Sequence, residues 1–210
     1  MKSVFLVLFF LSACIANAQS LKGSVKLEYR PSPLLYVFNQ STTNKAGSPG
    51  WLMVKVKYDM PNRKKGGKEI WLDDITMETE VLVPGSYKSK NVTILLKGKT
   101  IFWSIPLNGK SHLATGCIPP QVIARFARKG SKIEISKMHA RVTFYTSSRK
   151  IIMRVYSSSG SRIKGYFKKI DGAVSSGILT VNDIVMPRNK TPWNVINYEL
   201  YDVIKPDSQR

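Results

Sequence analysis

Ile70-Trp71-Leu72-Asp73-Asp74-Ile75-Thr76-Met77-Glu78-Thr79-Glu80-Val81-Leu82-Val83, with Pro84-Gly85 behind it, is the stretch that decides the fold. Ile75, Met77, Thr79 and Val81 share one parity, and Thr76, Glu78 and Glu80 share the other. A period of two marks a strand with one buried and one wet face. Leu82 breaks the wet parity only at the strand's end. β-Branched residues at 75, 76, 79, 81 and 83 favour the same conformation, and Pro84-Gly85 predicts a stop. Trp71-Leu72 is expected to anchor the start of the strand in a core, while Asp73-Asp74 keep that corner solvated. Neighbouring strand residues point to opposite faces, so these two carboxylates do not converge on a metal or an acid-base pair.

The same period recurs on both sides. Val25, Leu27 and Tyr29 alternate with Lys26 and Glu28, and Leu52, Val54, Val56 and Tyr58 alternate with Met53, Lys55 and Lys57. Leu34 to Phe38 reads as a short strand and 39–50 as a Gly-Pro-containing loop. Asp59 to Lys68 reads as a turn with a basic tip. Asn91–Leu96 and Thr100–Ile105, joined through Gly98, form a hairpin or one long bent strand. Further strands are predicted at His112–Ile118, Ile133–Ile135, Met138–Phe144, Ile151–Val155 and Ile178–Val181. From Lys164 to Ile184 no pattern is clear beyond that last strand.

Pro119-Pro120 interrupts the series, and Val122, Ile123, Phe126 and Ala127 fall at helical spacing before Arg128, Lys129 and Gly130. Proline at the start, cations in the last turn and glycine beyond it punctuate one short helix. Many short strands without βα alternation predict an all-β, immunoglobulin-like antiparallel β-sandwich with one short helix. The tail from Pro192-Trp193 to Lys205-Pro206, with Tyr198 and Tyr201, reads as a segment docked on that core.

The N-terminus carries Lys2, an apolar run and Ala16-Asn17-Ala18, the arrangement of a secretory signal peptide over residues 1–18. Residues 19–210 then form a single domain. The apolar run is short of the ~20 residues a membrane span needs, and no later segment is apolar enough to cross. The alternative is lipoprotein processing, because Leu11-Ser12-Ala13-Cys14 is lipobox-like and would anchor a lipid at Cys14. Either route exports the chain to the periplasm, outer surface or medium. Cleavage after Ala18 leaves Cys117 as the single cysteine, read as a small buried hydrophobe.

Charge is the strongest compositional signal. Lys and Arg number 33 against 13 Asp and Glu, a formal net of +20 that becomes +19 once Lys2 leaves with the signal. That field favours anionic partners: acidic or sulfated glycans, cell-wall polymers, lipopolysaccharide, nucleic acid or an acidic sister subunit. The candidate anion or partner contacts are Arg63, Lys64, Lys65 and Lys68 in one cluster, and Arg125, Arg128 and Lys129 in another. Lys164, Lys168 and Lys169 form a third dense point. No aromatic platform is interleaved with these cations, so specific nucleic-acid binding is not expected.

Nothing in the sequence calls for a cofactor or a metal. His112 and His139 lie on different predicted strands without ligand spacing, and no nucleophile elbow or phosphate-binding glycine loop occurs. His139 falls on a wet parity and reads as an exposed imidazole. Catalysis would need carboxylates among Glu28, Asp59, Glu69, Glu78, Glu80 and Glu134 to meet in space, which makes a glycan-processing enzyme the remote third reading.

Four stretches in order carry a resemblance: Trp71-Leu72-Asp73-Asp74 before a strand, Lys110-Ser111-His112 before another, Pro119-Pro120 opening a helix to Arg125-Phe126, and Arg188-Asn189-Lys190-Thr191-Pro192-Trp193 with Tyr198 and Ile204-Lys205-Pro206. Between about Gly50 and Pro206 the chain resembles the pilus-like secreted proteins of the Verrucomicrobia, whose fold is immunoglobulin-like and pilin-related. The resemblance implies a non-catalytic cell-surface role, structural or accessory, beside pilus or envelope proteins. The chain departs from pilins proper in lacking their long apolar N-terminal helix. The alternative is a basic adhesin-like module for acidic glycans or wall polymers.

Overall fold

The structure is a computed structural model that describes residues 22–31, 50–88, 90–127, 133–158, 161–172, 178–194 and 202–206. The strand expected at Leu34 to Phe38, the loop after it, the signal segment, Arg128, Lys129, Tyr198 and Tyr201 lie outside the described residues. Two sheets face one another. The first has the order β1 (Gly23–Arg30), β2 (Trp51–Asp59), β7 (Ser111–Ile118) and β11 (Met186–Pro187). The second has the order β10 (Ile178–Val181), β6 (Lys90–Pro106), β5 (Trp71–Tyr87), β8 (His139–Tyr145) and β9 (Ile151–Tyr156). A small hairpin of β3 (Lys64–Lys65) and β4 (Lys68–Glu69) stands apart.

The inward parity of β5 is the expected one: Ile75, Met77, Val81 and Val83 are buried. They meet Leu52, Val54, Val56 and Tyr58 of β2, with Ile94, Leu96 and Phe102 of β6 and Val142 and Phe144 of β8, in one continuous core. The all-β sandwich is therefore the observed architecture.

Several expectations are corrected. Pro84-Gly85 does not end β5, which pairs with β6 as far as Tyr87 opposite Lys90. β8 ladders with β5 only to Leu82, so one side of β5 is already unpaired where Pro84 withholds an N–H. Of the two readings of 91–96 and 100–105, the single long strand is the observed one, β6, rather than a hairpin. Gly98 sits where a Cβ would come within 1.9 Å of the Val185 carbonyl oxygen, so the backbone of 184–185 lies directly on the strand. Ile133–Ile135 is not a strand; a 3-10 turn, Ile135–Lys137, leads into β8 instead.

Among the described residues there are two α-helices, not one. The expected helix is α1 (Pro120–Phe126), with proline at its start and Ile123 and Phe126 buried. The second, α2 (Ser161–Asp171), was not expected. It lies on the outer face of the second sheet, where Ile163 and Phe167 bury against Leu82 and Leu95 as a second, smaller core.

The sandwich is not wholly antiparallel either, because β10 runs parallel to β6. Beyond β10, Ile184 and Val185 donate N–H bonds to the Lys97 carbonyl (2.9 and 3.1 Å). The docked tail then continues along the same edge: Trp103 N–H bonds the Val203 carbonyl (2.9 Å) and Lys205 N–H the Ile101 carbonyl (2.7 Å). This edge of β6 is thus covered by the chain's own segments, a usual guard against unwanted strand pairing. Asp202 anchors the tail in the interior, where its carboxylate accepts bonds from the Tyr58 hydroxyl and from His112 Nδ1 (2.8 Å). Burial, followed by the Asp202 charge and hydrogen bond, pushes the Tyr58 phenol far above its ordinary range.

Candidate functional site

The first basic cluster is built as a hairpin. Gly66 and Gly67 both adopt positive φ (+58° and +79°), which a two-residue type I′ turn demands and which side chains disfavour. Arg63 N–H bonds the Leu107 carbonyl and Leu107 N–H the Ile70 carbonyl, both at 2.8 Å, so the base of the hairpin is stapled to the turn after β6. Arg63, Lys64, Lys65 and Lys68 are all exposed. Arg125 is exposed too, but on α1, which packs beside the far ends of β2 and β5. About 14 residues of strand separate Trp71, next to the hairpin, from Gly85, next to Phe126 of α1, roughly 45 Å at the usual rise. Arg125 therefore does not join the hairpin cations in one patch, and Arg128 and Lys129 lie outside the described residues.

Beside the hairpin lies a feature that the sequence reading placed elsewhere. Trp71 is not a core anchor; it is 53% exposed, and Trp103 of β6 is 48% exposed. Leu72 and Ile105 take the inward positions, and a local shift of parity accompanies the positive φ of Asp74 (+54°). Asp74 is paired with Lys205 (2.6 Å), whose ammonium also lies 5.5 Å from the Trp103 ring centre. Two half-exposed indoles, Lys205 and the basic hairpin thus share one end of the sandwich. Exposed tryptophan is rare on a surface that meets only water.

The third cluster rides on α2, and what lies beneath it was hidden from the sequence. Glu80, on the supposedly wet parity, is 3% exposed. Its carboxylate accepts bonds from Arg141 Nε (2.5 Å) and Lys97 Nζ (2.9 Å), while Arg141 also grips Asp171 with two nitrogens at 2.6 and 2.7 Å. The Phe167 ring lies 4.7 Å from the guanidinium carbon. Burial works against the Arg141 charge, but the bonds to Asp171 and Glu80 outweigh it and raise its pKa. The hydrogen bond from Arg141 holds Asp171 below the usual carboxylate range. The cluster ties the end of α2 to three strands, β5, β6 and β8, and closes over what a bare sheet face would expose.

Next to it, between α2 and β10, a groove of about 730 Å³ opens on the sheet. Leu82, Pro84, Ile163, Ile170 and Ile178 supply its apolar surface. Lys137, His139 and Lys169 supply the basic groups, and no carboxylate lines it. His139 is half-buried there and not the free imidazole expected. The missed signal was present: Ile163, Tyr166, Phe167 and Ile170 follow the i, i+3, i+4, i+7 spacing of an amphipathic helix.

Of the carboxylates that catalysis would have needed, Glu78 and Glu80 share one face of β5, and others lie on separate elements. Glu28 on β1 is held by Lys55 and Arg30 (both 2.6 Å), Glu80 by the cluster on the opposite sheet, and Glu134 by Lys137 (3.0 Å). Among the described residues no three His, Cys, Asp or Glu side chains are grouped to hold a metal. No helix among them is long and apolar enough to cross a membrane. Cys117 is fully buried, and that burial pushes its thiol up to about 12.

A family model defined by likeness to an Akkermansia muciniphila protein matches residues 16–208. The chain belongs to that family. A crystal structure of an Akkermansia muciniphila protein is similar to it with a TM-score of 0.59 and 19% identity, covering 89% of this chain and 95% of that one. At that identity the likeness to the Akkermansia structure bears on fold alone, and it spans nearly the whole of both chains. No curated protein matches. The family thus accords with the resemblance to verrucomicrobial proteins drawn from the motifs.

Proposed function

We propose that the protein is an exported, non-catalytic structural or accessory component of the bacterial surface, working beside pilus or other envelope proteins. The observation that carries this reading is the end of the sandwich where Trp71 and Trp103, each about half exposed, adjoin Lys205 and the Arg63–Lys68 turn. Half-exposed aromatic residues with cations nearby form the kind of surface that partner proteins cover, since indoles contribute much of the affinity and charge steers approach. The signal-like start of the sequence and membership of the family support export and a surface role. Cell fractionation with intact-mass measurement tests the first half. The processed chain should begin at Gln19, carry no lipid and co-fractionate with envelope proteins; a cytoplasmic, unprocessed chain would overturn the reading.

A second reading, a basic module for acidic glycans or wall polymers, is favoured by the formal net charge and by the exposure of Lys64, Lys65 and Lys68 on a projecting turn. General attraction to polyanions follows from the charge alone, so the informative quantity is localisation. Reversing Arg63, Lys64 and Lys65 should remove most affinity for an acidic polysaccharide, while reversing Lys164, Lys168 and Lys169 should remove little. Equal losses from both variants would leave only diffuse attraction.

A further inference from the structure

We propose that the groove between α2 and β10 is a binding site for a single-chain amphiphile with an anionic head, such as a fatty carboxylate. Its volume, about 730 Å³, falls in the range of small-molecule sites and is too confined for a protein partner's usual footprint. Its apolar wall is mostly aliphatic, from Leu82, Pro84, Ile163, Ile170 and Ile178 with the Tyr166 ring beside them, which suits a flexible alkyl chain that follows an open groove. The polar side has one sign. Lys137 and Lys169 line it, with His139, Thr93 and Ser158 and without a carboxylate, so the only formal charges a headgroup meets there are the two ammonium groups. Lys137 is already engaged by Glu134 at 3.0 Å, whereas Lys169 makes no ion pair among the described residues. Lys169 is therefore the charge left to meet a ligand's head.

The groove lies beside the small core in which α2 buries Leu82 and Leu95. An alkyl chain lying against Leu82 and the half-buried Ile178 would extend that core. The site is separate from the tryptophan-bearing end, so it stands or falls independently of the surface role proposed above.

Titration calorimetry on the purified protein, with octanoate, decanoate and dodecanoate below their micellar concentrations, tests the assignment. Affinity should rise about fourfold for each methylene buried, and then level off as the chain outgrows the groove. Dodecanol should bind more weakly than dodecanoate. Lys169→Glu should weaken the carboxylate at least tenfold and leave the alcohol nearly unchanged, and Ile178→Trp should block both. Vesicles containing phosphatidylglycerol distinguish a free carboxylate from a lipid surface as the source of the anion. Binding only to vesicles would overturn the single-molecule site. So would equal binding of acid and alcohol in both the native protein and Lys169→Glu, or the absence of saturable dodecanoate binding.

Discussion

Replacing Glu80 by Gln removes one negative charge from a site that is almost dry. Glu80 and Arg141 are 3% and 5% exposed, and the shortest contact between them is 2.5 Å. Breaking a buried pair from one side costs about 3–5 kcal/mol, because the remaining charge keeps its desolvation penalty and loses its partner. Here the lower end applies. Asp171 still grips Arg141 with two bonds, and the Lys97 side chain, 30% exposed, is able to turn towards water. The expected loss is about 3 kcal/mol, equivalent to a fall in Tm of roughly 6–12 °C for a domain of this size. Glu78 is its neighbour on the same face, half-buried and bonded to the Tyr145 hydroxyl at 3.2 Å, and Glu78→Gln should cost about 0.5 kcal/mol or less. Urea unfolding followed by circular dichroism measures both, and an unchanged m-value confirms that the folded state is being compared with the same unfolded one. The gap between the variants should persist at 1 M salt, since buried pairs are weakly screened. Equal, small shifts from the two substitutions would refute the claim that α2 seals an ion cluster against β5 and β8.

Three further outcomes follow from the geometry. Glu28 is partly buried, which raises its pKa, but bonds from Arg30 and Lys55 win and hold it at about 2; it therefore contributes stability above its ordinary carboxylate range that is lost as pH falls towards 2, and Glu28→Gln should flatten that part of the acid-unfolding curve. Gly98→Ala would drive a methyl into the Val185 carbonyl, 1.9 Å from the Cβ position, so the covering segment should lift from β6, with a loss of about 1–3 kcal/mol and new proteolytic cleavage near 178–185. Cys117, buried and with its thiol raised to about 12, should react with a thiol reagent only at the rate of unfolding; fast labelling of the native protein would contradict its placement.

Local patterns carried the sandwich, and contacts distant in sequence carried what was misread. The alternation through Ile75, Met77 and Val81 placed β5 correctly because a strand with one packed face writes that face into its parity. Glu80 follows the same rule locally and violates it globally, because the opposite face is covered by a helix some 80 residues away. Gly165 and a run of lysines obscured α2, although the apolar spacing from Ile163 to Ile170 was helical. Trp71 looked like a plug because tryptophan is usually buried, whereas the positive φ at Asp74 hands the inward position to Leu72. The basic turn was legible, since Gly66-Gly67 between lysines writes its own hairpin. That Trp71 and Trp103 lie at the same end was not, because the pairing of β5 with β6 brings Trp103 alongside from 32 positions beyond Trp71. The Asp202 anchor had no signal short of the tertiary fold.

The central claim is that the hairpin end is the surface through which this protein meets the envelope. Photo-crosslinking on intact cells tests it most directly, with a photoreactive residue installed at Lys65 in one strain and at Lys168 in another. The account predicts discrete adducts with an envelope component from position 65, lost when Trp71 and Trp103 are both changed to Ser, and little from position 168. Adducts of equal yield from both positions, or adducts at position 65 that survive loss of the tryptophans, would contradict it.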